Sequence, residues 1–353
     1  MSITKQFFGT TEQGVSVDLY TLTNKNNLKL TITNYGGKMV QLYVPDKGGV
    51  FADIILGFDK LDSYLLKNPY FGSLIGRCAN RLGNAQFTLN GKQYDLDCNT
   101  PPNQLHGGAA GFDKRVWDAE IIKVDGLEKL ELKLKSEDGD QGYPGSVWVT
   151  VQYHLTDYNE VAIEYFAHCD ADTIVNLTNH CYFNLAGHDS GDVLKQMLQI
   201  QADYFTPTDG TSIPTGELRK VENTPFDFRS MTAIGERISD GYEQLARNDG
   251  YDINYMLNKK TDGLEKVCVV VDPESGRRME TLTTMPAVQL YTANYIKGTF
   301  IGKGDYTYNQ YCGFCLETQY PPNSPNIPSF QSITLHPGEE YRHKTVYAFS
   351  IEK

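Results

Sequence analysis

Two histidines and one carboxylate in this 353-residue chain sit among neighbours that suit proton transfer. His106 follows Pro101-Pro102 in Asn103-Gln104-Leu105-His106-Gly107-Gly108, where two glycines let another backbone or a ligand come close. His180 lies in Thr178-Asn179-His180-Cys181-Tyr182-Phe183-Asn184-Leu185. Amides and hydroxyls alternate there with aromatics, a composition suited to a hydroxylated, partly apolar ring. Taken singly, each histidine reads equally well as a structural loop residue. Glu317, in Phe314-Cys315-Leu316-Glu317-Thr318-Gln319, follows apolar or small residues. A carboxylate desolvated in such a place has a raised pKa and is a better base near neutrality. Asp252, in Gly250-Tyr251-Asp252-Ile253-Asn254-Tyr255, reads as a site residue or as a turn aspartate bonding its own backbone. Arg81, in Asn80-Arg81, fits a site cation or a cap on a carboxylate. The set amounts to one acid, one base, amides and aromatics: the means for proton transfer on a neutral polar substrate. Nothing in it demands a metal or a cofactor. The other histidines carry blander readings. His154 and His168 fall in alternating runs, His188 in a solvated turn, and His336 and His343 beside a surface turn.

These side chains must be held by strands. Leu130, Leu132 and Leu134 alternate with charged residues, and Val147, Val149, Val151, Tyr153 and Leu155 alternate with polar or larger ones. Val161, Ile163, Tyr165 and Ala167, and then Val267, Val269 and Val271, repeat the period of two. Asn90-Gly91, Asp125-Gly126, Asp138-Gly139, Asp209-Gly210, Asp262-Gly263 and Pro337-Gly338 supply the turns. Helical pattern is confined to short pieces near 59–67 and 235–247. The expected fold is all-β, a large antiparallel sandwich or barrel with few short helices. Tyr320 to Pro328 reads as a loop, and residues 1–353 as a single domain.

Composition excludes several function classes. With 32 Lys+Arg against 44 Asp+Glu the formal charge is −12, which argues against nucleic acid and anionic lipid as partners. No apolar run is long enough to span a membrane, and the first residues carry no signal-like stretch, so a cytoplasmic protein is expected. Seven cysteines are too few for a stapled secreted scaffold. Cys312-Gly313-Phe314-Cys315 has redox-dithiol spacing, but Pro321-Pro322 soon after deny a following helix, and no second such pair completes a zinc site. Ordinary buried thiols are the expectation. The phosphate-loop, dinucleotide-binding, zincin and nucleophile-elbow motifs are missing.

The strings themselves go further. Asn34-Tyr35-Gly36-Gly37, Gly76-Arg77-Cys78-Ala79-Asn80-Arg81 and Asn103 to Gly108 with Gly111-Phe112-Asp113-Lys114 come first. Asp138-Gly139 through Gly142-Tyr143-Pro144-Gly145, Thr178 to Gly187 and Gly250-Tyr251-Asp252 follow, then Gln289 to Asn294 and Leu316-Glu317-Thr318-Gln319. Across nearly the whole chain, and in this order, they resemble the aldose 1-epimerases, or galactose mutarotases. The resemblance implies a large antiparallel β-sandwich of the galactose-mutarotase type, with a free aldose in an open cleft. It implies Glu317 as the general base on the anomeric hydroxyl and His180 as the general acid on the ring oxygen. It makes His106 the second histidine near that oxygen, and Asn80, Arg81, Asp252 and Gln289 ligands of the sugar hydroxyls. No cofactor or metal is implied, and a monomer or weak dimer is expected. Three other readings compete: a hexose-6-phosphate 1-epimerase, which would need more basic residues; a non-catalytic carbohydrate-binding sandwich; and a structural sandwich with no site.

Overall fold

The computed structural model describes residues 2–66 and 69–352. The alternating runs become the strands Leu127–Ser136, Val147–Leu155, Glu160–Cys169 and Glu265–Val271. They lie in a nine-stranded antiparallel sheet whose centre also holds Arg277–Thr283 and the long Tyr341–Ile351. Two five-stranded antiparallel sheets and, among the described residues, five two-stranded ones complete the architecture. One of the five-stranded sheets runs in sequence order from Ser2–Thr10 to Phe51–Asp53. The other has the spatial order Arg219–Lys220, Tyr204–Thr206, Asp252–Met256, Ala287–Tyr291, Cys315–Gln319.

The apolar face of the large sheet packs against both five-stranded ones. Leu132, Val149, Ile163 and Tyr347 share one buried cluster with Leu30 and Leu42 of the first and Ile253, Leu290 and Leu316 of the second. Polar bolts cross between the layers. Tyr153 Oη donates to the Gly37 carbonyl at 2.8 Å, Tyr347 Oη donates to the Leu316 carbonyl at 3.1 Å, and the Thr318 and Thr345 hydroxyls meet at 2.6 Å. The expected all-β sandwich is what forms.

Among the described residues the α-helices are short, Leu61–Leu65 and Glu243–Asn248. The first falls inside the expected 59–67. The second begins eight residues late, because the amides of Glu236, Asp240 and Tyr242 bond to the carbonyls of Ala233, Arg237 and Asp240, only two or three residues back, so that tight turns take the place of a helical ladder. His343 is half-buried rather than at the surface. Its ring meets the hydroxyls of Thr284 and Tyr320, and burial holds its pKa down at about 4. Cys312 and Cys315 are buried free thiols, as expected. Among the described residues, no helix is long and apolar enough to cross a membrane.

Candidate active site

Strand alternation sorts the second five-stranded sheet into a core face and a site face. Ile253, Val288, Leu290 and Leu316 enter the main core. Their neighbours Asp252, Gln289, Cys315 and Glu317 therefore project from the opposite face. Register then aligns them: Asn254 pairs with Gln289, Gln289 with Glu317, and Asp252 with Tyr291. Gln289 Nε2 donates to Asp252 Oδ1 at 2.6 Å.

His180 reaches this face from a separate strand. Thr178–His180 pairs with Ser73–Ile75 on one side. On the other it is fastened beside Cys315–Gln319 at two points. The Thr178 hydroxyl donates to the Thr318 carbonyl at 2.8 Å, and Phe183 and Phe314 exchange backbone bonds of 2.8 and 2.9 Å. The two attachments fix the register and bring His180 Nε2 to 3.5 Å from Glu317 Oε1.

His106 arrives on a loop. Gln104–Leu105 pairs with Arg81–Leu82, and just beyond the pairing His106 takes a left-handed φ of 52°. Gly107 follows at φ 83°, and a Cβ there would lie 1.9 Å from the Gly76 carbonyl oxygen. The glycine thus admits another backbone rather than a ligand, and it clamps the His106 loop to the one that carries Asn80 and Arg81. The Asn80 amide donates to His106 Nδ1 at 3.2 Å, while the His106 amide donates to the Asn80 carbonyl at 2.9 Å. The first bond sets the tautomer: Nδ1 accepts, so the ring proton sits on Nε2.

Together these elements line a cavity of about 820 Å³. Glu317, His180, His106, Asn80, Arg81 and Asp252 all reach its wall. Gln289 does not; it stands behind Asp252 and holds that carboxylate. Arg81 Nη2 lies 3.7 Å from Asp252 Oδ2, so the arginine does partner a carboxylate, and that carboxylate itself faces the cavity. Sequence reasoning missed Tyr70 and Tyr295. Tyr70 packs edge-on to His106 at 4.6 Å, Tyr295 stacks on Tyr291 at 5.8 Å, and both rings line the cavity. Nothing in the sequence near Tyr70 marks it. Asn254 and Gln319 each sit two residues past a site carboxylate and so share its face, but neither lines the cavity. Both are buried, and Asn254 Oδ1 and both Gln319 amide atoms are without a partner.

Electrostatics follows from burial. Desolvation pushes the Glu317 carboxyl well above its usual 4.5, with the nearby Asp252 charge adding to the rise and Arg81 opposing it. Desolvation takes His180 from its usual 6.5 down to about 3, opposed by a hydrogen bond from the ring to its own backbone carbonyl and helped by the buried Lys38 ammonium. His106 is held well below 6.5 by burial, then by His180, Arg81 and Lys114. At neutral pH both histidines are therefore neutral, His106 as an Nε2–H donor, and burial biases the Glu317 carboxyl toward its protonated form. Ligand atoms of His106, His180 and Glu317 all lie within 4.8 Å of one another, a spacing a cation could use. The proton that Asn80 places on His106 Nε2 removes that nitrogen's lone pair, however, and leaves two ligands, short of the three that catalytic zinc takes. What the arrangement can do is remove one proton and supply another within a few ångströms, on a neutral polyhydroxylated molecule.

The chain resembles known proteins along nearly its whole length. The aldose 1-epimerase family profile matches residues 18–348. Galactose mutarotase of Sus scrofa is 40% identical, with 99% of each chain covered. Aldose 1-epimerase of Haemophilus influenzae is 40% identical over 90% of this chain and 91% of its own. The crystal structure of galactose 1-epimerase from Lactobacillus acidophilus superposes with a TM-score of 0.87 at 26% identity, covering both chains in full. With matching blocks, matching fold and a full-length likeness, the chain belongs to the aldose 1-epimerase family.

Proposed function

We propose that the protein is a mutarotase, interconverting the α and β anomers of free aldohexoses such as galactose and glucose. The observation that carries the reading is the buried Glu317–His180 pair, 3.5 Å apart at the wall of a cavity of polar groups and tyrosines. Anomer exchange requires the C1–O5 bond to break and re-form. Glu317 takes the proton from O1 as His180 protonates O5; C1–O5 opens and C1=O1 forms. The aldehyde turns about C1–C2, and the reverse transfers close the ring on its other face. Every intermediate is neutral, so no added charge has to be stabilised. His106 donates through Nε2–H near the ring oxygen, and Asn80, Arg81 and Asp252 hold hydroxyls, with Gln289 steadying Asp252. Each positioned acid or base contributes on the order of 10²–10⁴-fold. The same reading takes the chain as one domain, supported by the buried cluster that runs from Tyr20 to Phe349. A monomer or weak dimer suffices, since one chain supplies all these groups. Seven free thiols favour a reducing, cytoplasmic setting.

Polarimetry on freshly dissolved α-D-galactose and α-D-glucose tests this against a protein-free blank. Wild-type protein is expected to hasten the approach to the same final rotation. Glu317→Gln should lose at least about 10²-fold in kcat while sugar binding persists. A near-normal rate in that variant refutes the base assignment, and an unchanged rate in the wild type refutes the function.

A further inference from the structure

One strand grips His180 by both ring nitrogens. Glu317 Oε1 lies 3.5 Å from Nε2, and Cys315 Sγ lies 3.6 Å from Nδ1. The two residues are i and i+2 of Cys315–Gln319, so strand alternation turns both toward the imidazole. Glu317 has its part in proton transfer; Cys315 as yet has none. Its side chain is fully buried and stays behind the residues that line the cavity. Burial, with the Glu317 carboxyl beside it, pushes the thiol well above its usual 9, so it stays protonated and is no nucleophile. What remains is a sulfur that accepts or donates one weak hydrogen bond.

The direction of that bond decides which proton His180 can move. If the thiol donated, Nδ1 would be bare and the ring's single proton would sit on Nε2. Delivering it to a ring oxygen would then leave a buried imidazolate. If the sulfur accepts, Nδ1 keeps its proton throughout, and Nε2 alternates between bare and protonated. The mobile proton, shared between Glu317 and Nε2 across 3.5 Å, goes from Nε2 to the sugar while Glu317 collects the one from O1. The proton count closes at each step.

We propose that Cys315 is a positioning residue whose sulfur accepts the His180 Nδ1–H and thereby makes Nε2 the nitrogen that exchanges protons. The assignment rests on the acid/base reading given under Proposed function. It is the task an aspartate performs for the histidine of a serine-protease triad, done here without charge. A carboxylate at Nδ1 would raise the basicity of the imidazole and blunt it as an acid. A neutral sulfur fixes the tautomer and leaves the imidazolium a strong proton donor.

The test uses the full chain and two readouts. Nitrogen-15 NMR of the His180 ring, assigned by its loss in His180→Asn, reports the tautomer directly. The Nδ1–H form is expected in the wild type at neutral pH, and a wild type in the Nε2–H form overturns the proposal. Cys315→Ala should lose kcat by about 10-fold with KM shifted less than about twofold, and should gain Nε2–H tautomer. Cys315→Ser, whose hydroxyl also accepts, should recover most of kcat. The proposal also fails if Cys315→Ala keeps wild-type kcat, or if both variants fall together while the ring stays Nδ1–H. A wild type that does not hasten mutarotation would reject the underlying reading instead, and the NMR tautomer would still decide the role of Cys315.

Discussion

Glu317 and His180 are shifted in opposite directions, and the order of their pKa values sets the pH dependence. Burial raises Glu317 from 4.5 and lowers His180 from 6.5 to about 3. Two unshifted groups would make a resting ion pair, active between 4.5 and 6.5. The opposed shifts favour the neutral form of the pair, carboxylic acid beside imidazole, over the ion pair, and the one proton of that form is the one the reaction needs. As pH falls through about 3, the pair takes a second proton and Glu317 can no longer act as base. As pH rises through the raised Glu317 value, the pair loses its only proton and His180 has none to give. The acid limb of kcat/KM, corrected for the uncatalysed rate, should therefore lie below 4.5. The alkaline limb should report Glu317, not His180. Stopped-flow polarimetry from about pH 2.5 to about pH 9 measures both limbs, and an acid midpoint above about 5 would show that His180 is not lowered as described. The raised Glu317 was legible in its apolar neighbours. The neutral resting state was not, because it depends on how deeply the imidazole of a distant strand is buried beside it.

Strands and the loops between them were legible to unequal degrees. The alternating runs at 130–134, 147–155 and 161–167 became strands that bury one face against a neighbouring layer. The run at 267–271 became a strand buried on both faces, where a bulge between Lys266 and Cys268 puts Cys268 and Val270, not Val269 and Val271, in the main core beside Val267. The placing of Thr178–His180 beside Cys315–Gln319 was not legible, because about 140 residues separate partners joined by one hydroxyl and one nearby bridge, as Thr178 and Thr318 are. Gln289 shows the same limit: its residue type fits a hydroxyl ligand, and only register places it behind Asp252. The block Gly76 to Arg81 contains two arginines that do different work. Arg81 faces the cavity, whereas Arg77 is fully buried and binds the carbonyls of Pro144 and Gly145 at 2.8 Å each, together with Ser136, Glu137 and Thr173. It therefore ties the loop before the site to the Gly142-Tyr143-Pro144-Gly145 turn. Arg77→Met would leave several buried carbonyls unpaired, and a cost of at least about 3 kcal/mol is expected. Urea unfolding should register that loss as a lower midpoint with little change in slope. A variant within about 0.5 kcal/mol of wild type would mean that water replaces the guanidinium at no cost.

At the scale of the whole molecule, charge separates the sugar reading from its phosphorylated alternative. The chain carries a formal −12, and its field reaches about 10 Å at 0.1 M salt. A neutral aldose feels none of it, so encounter depends on the cavity mouth alone. A sugar phosphate would be repelled on approach and would need cations inside to hold it. Arg81 and Lys114 line the cavity, but Arg81 stands 3.7 Å from Asp252, and the Lys114 ammonium donates to the Ala109 carbonyl at 2.6 Å in an exposed position. Neither presents the convergent cluster that phosphate recognition uses. For galactose, kcat/KM is therefore expected to change less than about twofold between roughly 0.02 and 0.5 M NaCl, because an uncharged substrate has no steering to lose. For a hexose 6-phosphate, any activity should be low at low salt and rise as screening removes the repulsion. A rate for the phosphate that starts high and falls steeply with salt would instead reveal a cationic site recruiting the anion, and would move the substrate assignment to the phosphorylated sugar.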